Sequence, residues 1–165
     1  MSPLVQTVLA DLDHEFANTR TMLSRIPDSQ LDFSPHPKSW PLGKLATHLL
    51  DFPFWGQTTI ETTSLDFAAP APAKHIPATT AEFLSTWDAR VVAFKDVLAK
   101  VTDADLQIDW VGMAGSHEVL RMPRIAVLRS MVVNHMIHHR AQLSIYFRML
   151  DVPLPGMYGP TADEK

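Results

Sequence analysis

Apolar residues recur with a helical period in four stretches of the chain. From Leu4 to Ile26 they fall at Leu4, Val8, Leu12, Phe16, Leu23 and Ile26, with acidic and polar residues between them, and Pro27 closes the stretch. Asp28 to Lys38, with prolines at 35 and 37, reads as a loop. A second helix is capped by Ser39 and holds Pro41 in its first turn. Leu42, Leu45, Ala46, Leu49 and Leu50 form its stripe, with His48 beside it. Pro53 predicts a kink or break before Trp55 to Ile60. After a connection over 62–78 rich in Thr, Ala and Pro, Thr79 or Thr80 opens a third helix with Glu82 in its first turn. Phe83, Leu84, Trp87, Val91, Phe94, Val97 and Leu98 are its buried face, and it ends near Val101.

Leu106 to Val111 and His117 to Met122 are short candidate strands around Gly112 and Gly115, which suggests a small hairpin or an ordered loop. Pro123 opens the last helix, which runs to about Leu150, where Pro153, Pro155 and Gly156 forbid its continuation. Four amphipathic segments without a repeated strand pattern predict an all-α fold: an up-down four-helix bundle with a small irregular or hairpin segment before the last helix. Its 165 residues, 46% of them hydrophobic, suit one domain spanning 1–165.

Charge and cysteine content narrow the chemistry. A net charge of −4 and a pI near 6.0 carry no large field, so neither nucleic acid nor an anionic membrane surface is an expected partner. Arg121, Arg124 and Arg129 read as the solvated start of the last helix. With no cysteine, any metal site uses nitrogen and oxygen donors alone. The start, Met1-Ser2-Pro3-Leu4, shows no basic stretch followed by an apolar run, and no segment has the eighteen or so apolar residues of a membrane helix. A soluble cytoplasmic protein is expected.

The last helix carries His135, His138 and His139 in an otherwise apolar setting. His135 and His139 are four apart, on one helix face with about 6 Å of rise between them. The line Leu128, Val132, His135, His139, Tyr146 places both on a stripe where unpaired imidazoles meet a desolvation cost. A hydrogen-bonded pair of core histidines is the plain alternative. One metal ion would satisfy both, with His48 on the second helix as the third donor. His138 lies about one hundred degrees from His139 and reads as a bystander, and His14 and His36 lie outside any evident site. Three imidazoles without a thiolate describe an open site, for which Zn and Ni lead and Fe and Mn remain candidates.

Three stretches then carry a family resemblance: Ser39-Trp40-Pro41-Leu42-Gly43-Lys44-Leu45-Ala46-Thr47-His48-Leu49, Asn134-His135-Met136-Ile137-His138-His139-Arg140-Ala141-Gln142-Leu143, and Val152-Pro153 with Tyr158-Gly159-Pro160. Their ordered set resembles the DinB superfamily of four-helix bundles. The resemblance implies a divalent metal held by one histidine of the second helix and two of the last, here His48, His135 and His139. It departs mildly at Ala141, where glycine is common. The superfamily is similar in fold to mycothiol-dependent maleylpyruvate isomerases and bacillithiol S-transferases. The resemblance therefore implies a metal that activates a low-molecular-weight thiol or a water, in a transferase or hydrolase acting on a small molecule, and pairing as a homodimer. A non-enzymatic, structural or stress-related metal-binding dimer is the alternative.

Around such a centre, Asp51 and Glu118 are the acidic residues best placed as a general base, though each reads first as a surface charge. Gln142 and Asn134 are candidates to orient ligand imidazoles, Tyr146 lies on the ligand stripe, and Trp55 and Phe54 are candidate pocket walls.

Overall fold

A computed structural model describes residues 2–70 and 75–164. Helix α1, Pro3–Leu23, begins on a proline, whose missing amide hydrogen costs nothing in a first turn. Helix α2, Leu42–Glu61, runs through Pro53 as one element, so of the expected kink or break the break does not occur. The proline removes one helical donor, and Arg90 brings another into the preceding turn by donating to the Leu50 carbonyl at 2.8 Å.

Strand β1, Ser64–Asp66, lies within the long connection. Helix α3, Thr80–Leu98, is capped by the Thr79 hydroxyl, which accepts from the Glu82 amide at 3.2 Å, while the Glu82 carboxylate accepts from the Ala78 amide at 2.7 Å. A single turn, α4 (Asp103–Leu106), is closed by the reciprocal capping box of Thr102 and Asp105. Strands β2, Asp109–Ala114, and β3, His117–Pro123, form an antiparallel hairpin turned at Gly115, whose φ of 61° suits a residue without a Cβ. The last stretch passes from α5, Arg124–Val127, through a π-helical segment, Leu128–Asn134, into α6, His135–Met149.

The all-α expectation is corrected by the sheet. The described residues are 58% helical with a three-stranded mixed sheet, in which β1 pairs parallel to β2 and β2 antiparallel to β3. Three-residue β1 is too short for alternation to reveal it, and its pairing partner lies far along the chain. Its hold comes from specific bonds: the Asp66 carboxylate accepts from the Gly115 amide at 2.9 Å, and the Phe67 amide donates to the Met113 carbonyl at 2.8 Å. None of the described helices is long and apolar enough to cross a membrane.

The core lies between the long helices. α1 packs on α3 and α6, while α2 packs on α3, α6 and the π segment. Leu12, Phe16, Leu49, Phe83, Trp87, Phe94, Met136 and Leu143 meet there, all buried. A buried ion pair ties α6 to α1. Arg140 donates to the Glu15 carboxylate at 2.7 Å, to the Glu15 carbonyl at 3.0 Å and to the Tyr158 hydroxyl at 2.6 Å, which also fastens the C-terminal segment.

Helix α2 meets α3 closely at Gly56, where an added Cβ would lie 2.6 Å from the fully buried Phe94 ring. Gly56→Ala gains about 1 kcal/mol of helix propensity, but overpacking of a rigid core costs about 1–3 kcal/mol. A buried ring at that distance cannot yield cheaply, so we expect net destabilisation, seen as a lower urea midpoint at unchanged slope. A raised midpoint would show that the helices separate readily.

Candidate metal centre

His48 comes from the middle of α2, and His135 and His139 from the first two turns of α6. The π segment just before His135 holds more residues per turn than an α-helix, so it rotates the side chains that follow relative to those before it. Each of the three histidines offers a ligand atom, and these atoms lie within 4.8 Å of one another. All three side chains are half-buried.

Two of the imidazoles have an oxygen behind them: His139 Nδ1 lies 2.8 Å from Gln142 Oε1, and His48 Nδ1 lies 3.7 Å from Asp51 Oδ2. Asp51 is itself fixed by Arg90 at 3.1 Å. An amide oxygen accepts only, so His139 carries its proton on Nδ1, and Nε2 presents a lone pair. That Nε2 lies 2.9 Å from His135 Nε2. The His135 ring is placed to donate to that lone pair, and an added proton or a metal ion between the two nitrogens would take the place of this bond.

Burial disfavours the proton. It pushes His139 down from 6.5 to about 4, against the opposing Gln142 bond, with His48, His135 and His138 adding to the fall. Burial likewise lowers His135, with smaller contributions from His48 and His138. At neutral pH both imidazoles are neutral, the state in which they can bind a metal. Donor type and convergence therefore fit a metal ion.

Aromatic rings enclose the group. Trp40 stacks on His139 at 6.0 Å between centroids, and Phe52 lies 5.2 Å from His48 and 5.0 Å from His135. Trp55 lies 5.4 Å from His48, as its place on α2 suggested. Phe54 does not contribute: it is half exposed, beneath Arg90. The wall is Phe52 instead, four residues after His48 and so on the same face of α2. The other candidates also separate. Asp51, read first as a surface charge, is buried beside His48, whereas Glu118 pairs with Arg121 on β3. Gln142 orients His139, and Asn134 is exposed. The Tyr146 hydroxyl donates to the Trp40 carbonyl at 2.8 Å, steadying the stacked indole. His138 is exposed and bonds Gln142 at 3.0 Å, outside the triad.

Three cavities border the centre, one at each histidine. A cavity of about 510 Å³ beside His139 includes His36, Lys38 and Ser39; spacing along the chain gave no signal for His36, which arrives from the loop before α2. One of about 350 Å³ includes His48, Asp51 and Lys44. The third, of about 240 Å³, lies beside His135.

Comparison with known proteins places this architecture. A family model described as the DinB family matches residues 1–165. A Bacillus subtilis (strain 168) relative named "Uncharacterized protein YrdA" is 28% identical over 161 residues, covering 94% of this chain and 89% of the relative. Two solved structures share the fold. A DinB-like protein from Bacillus cereus ATCC 10987 has a TM-score of 0.70 at 22% identity, covering 93% of this chain and 97% of its own. The DinB-like protein YjoA from Bacillus subtilis has a TM-score of 0.66 at 13% identity, covering 96% and 99%.

The metal-free protein should lose stability in mild acid. Because folding lowers the affinity of His139 and His135 for protons, their contribution is complete above about 6.5 and is lost as pH falls toward the His139 value of about 4. Urea midpoints compared at about pH 7.5 and pH 5 should fall less for His139→Gln than for the unsubstituted protein. Equal falls would mean that His139 is not buried as described. Gln142→Leu, which removes the acceptor behind His139, should weaken zinc binding about 10–100-fold by isothermal titration, and an unchanged affinity would leave Gln142 without a positioning role.

Proposed function

The chain belongs to the DinB family, and from that premise and the convergence of His48, His135 and His139 we propose that it is a divalent-metal enzyme acting on a small electrophile. The single observation that carries this reading is the three-nitrogen group itself: no fourth histidine or acidic side chain joins it among the described residues. A closed structural site takes four protein ligands, whereas three leave a position for an exchangeable molecule. Bound there, the metal supplies Lewis acidity, lowering the pKa of a coordinated water or low-molecular-weight thiol toward neutrality.

The protein's own residues do the rest. His48, His135 and His139 fix where the nucleophile sits, with Gln142 holding the His139 ring in the ligating orientation and Asp51 beside His48. Trp40, Phe52 and Trp55 exclude bulk water from around the imidazoles. Lys38 and His36, in the cavity beside His139, suit an anionic end of a cosubstrate. Asp51 is the carboxylate nearest the centre, but its bond to Arg90 makes it a positioning group rather than a mobile base.

Metal analysis tests the reading. Protein purified without a nickel column should hold about one zinc or nickel equivalent per chain, and His135→Ala should lose it while remaining folded. Wild-type protein without stoichiometric metal, or a variant that keeps it, would contradict the site. A screen of small thiols against electrophiles then separates the enzyme from a metal-binding scaffold: uniform inactivity of the metal-loaded protein would favour the scaffold.

A further inference from the structure

The smallest of the three cavities differs chemically from the other two. Trp55 and Thr59 of α2, Leu65 of β1, Trp110 of β2 and Val132 of the π segment wall about 240 Å³ of space, with the His135 ring as its boundary toward the triad. Among the described residues, no charged side chain lines it. Its other polar groups are already occupied: the Thr58 hydroxyl donates to the Phe54 carbonyl at 3.0 Å, the Thr59 hydroxyl to the Trp55 carbonyl at 2.9 Å, and the Trp110 indole N–H to the Thr62 hydroxyl at 3.1 Å. The chamber therefore presents carbon to an occupant everywhere except at His135.

The sheet builds its outer side. β1 contributes Leu65, β2 contributes Trp110, and Phe67, 52% exposed, stands at the rim. Gly112 gives the Phe67 ring its place, since a Cβ there would lie 2.7 Å from it. An apolar cavity of about 150 Å³ already admits benzene, so 240 Å³ accommodates a substituted ring or a branched alkyl group. A charged occupant would be desolvated with no partner. The cavity at His139, with His36 and Lys38, has the opposite character.

We propose that this chamber is the substrate's apolar subsite: it receives an uncharged aryl or branched alkyl group and so holds the adjoining reactive atom at His48, His135 and His139. The inference rests on the reading of those histidines as a metal centre. Its consequence is a sorting of the two reactants, the apolar electrophile entering beside His135 and the charged cosubstrate beside His139.

Tryptophan indole N–H resonances of ¹⁵N-labelled protein, as purified, provide the test. Trp55 and Trp110 line the chamber, while Trp87 is buried against Phe16 and serves as an internal control. Toluene should shift Trp55 and Trp110 saturably and leave Trp87 in place. Benzenesulfonate, of the same ring size but charged and a poor metal ligand, should bind at least about tenfold more weakly. Leu65→Trp and Thr58→Phe, which fill the chamber from the sheet and helix sides, should each weaken toluene binding about tenfold or more while bound metal is retained. The subsite is overturned if Trp110 shows no saturable shift, if benzenesulfonate binds as well as toluene, or if neither filled variant weakens toluene. Metal content measured on the same samples separates the two readings. Metal without toluene binding removes the subsite alone, whereas toluene binding without metal removes the metal centre and the chamber's role beside it.

Discussion

A guanidinium buried one residue after His139 sets the phase of the helix that carries the site. Arg140 faces α1, where the Glu15 carboxylate and carbonyl and the Thr19 and Tyr158 hydroxyls take up its donors. Helical geometry then turns His139, about one hundred degrees away, off that face, and the packing of α6 on α2 brings it to His48. A buried ion pair of this kind is weak evidence for stability, because desolvation offsets most of its attraction. Its geometric effect is plain: any rotation of α6 that spoiled the triad would also strand a buried charge, at a cost of about 3–5 kcal/mol.

The triad depends on that fixed phase because its energetics are finely opposed. Two neutral imidazoles meet nitrogen to nitrogen at 2.9 Å, burial disfavours adding a proton, and Gln142 holds the His139 ring from behind. A metal ion at the convergence would bind the neutral nitrogens that burial maintains. The local structure is thus arranged for a metal ion, in the sense that Gln142 fixes the orientation of the His139 ring and Asp51 stands beside His48.

Local features were legible in the amino-acid sequence and non-local ones were not. The i,i+4 spacing of His135 and His139 and the stripes of α1, α2 and α3 are visible because periodicity is a property of neighbouring residues. His48 was legible as the third donor only through its place beside an apolar stripe and the family resemblance. β1 escaped because three residues have no period and its partner β2 is more than forty positions away, so the all-α expectation failed there. The continuation of α2 through Pro53 was not legible because a proline inside a helical pattern reads as an interruption, and Phe54 was named where Phe52, four residues after His48, shares the face of that histidine. The burial of Asp51 and the arrival of His36 are likewise consequences of tertiary packing.

X-ray absorption at the metal edge tests the central claim most directly. Protein loaded with one zinc equivalent should show three imidazole nitrogens at about 2.0–2.1 Å with the outer-ring scattering of histidine, together with lighter-donor scattering from an exchangeable ligand. His48→Ala should remove one imidazole from that shell. A first shell of oxygen donors without imidazole scattering, or a spectrum unchanged by the substitution, would contradict it.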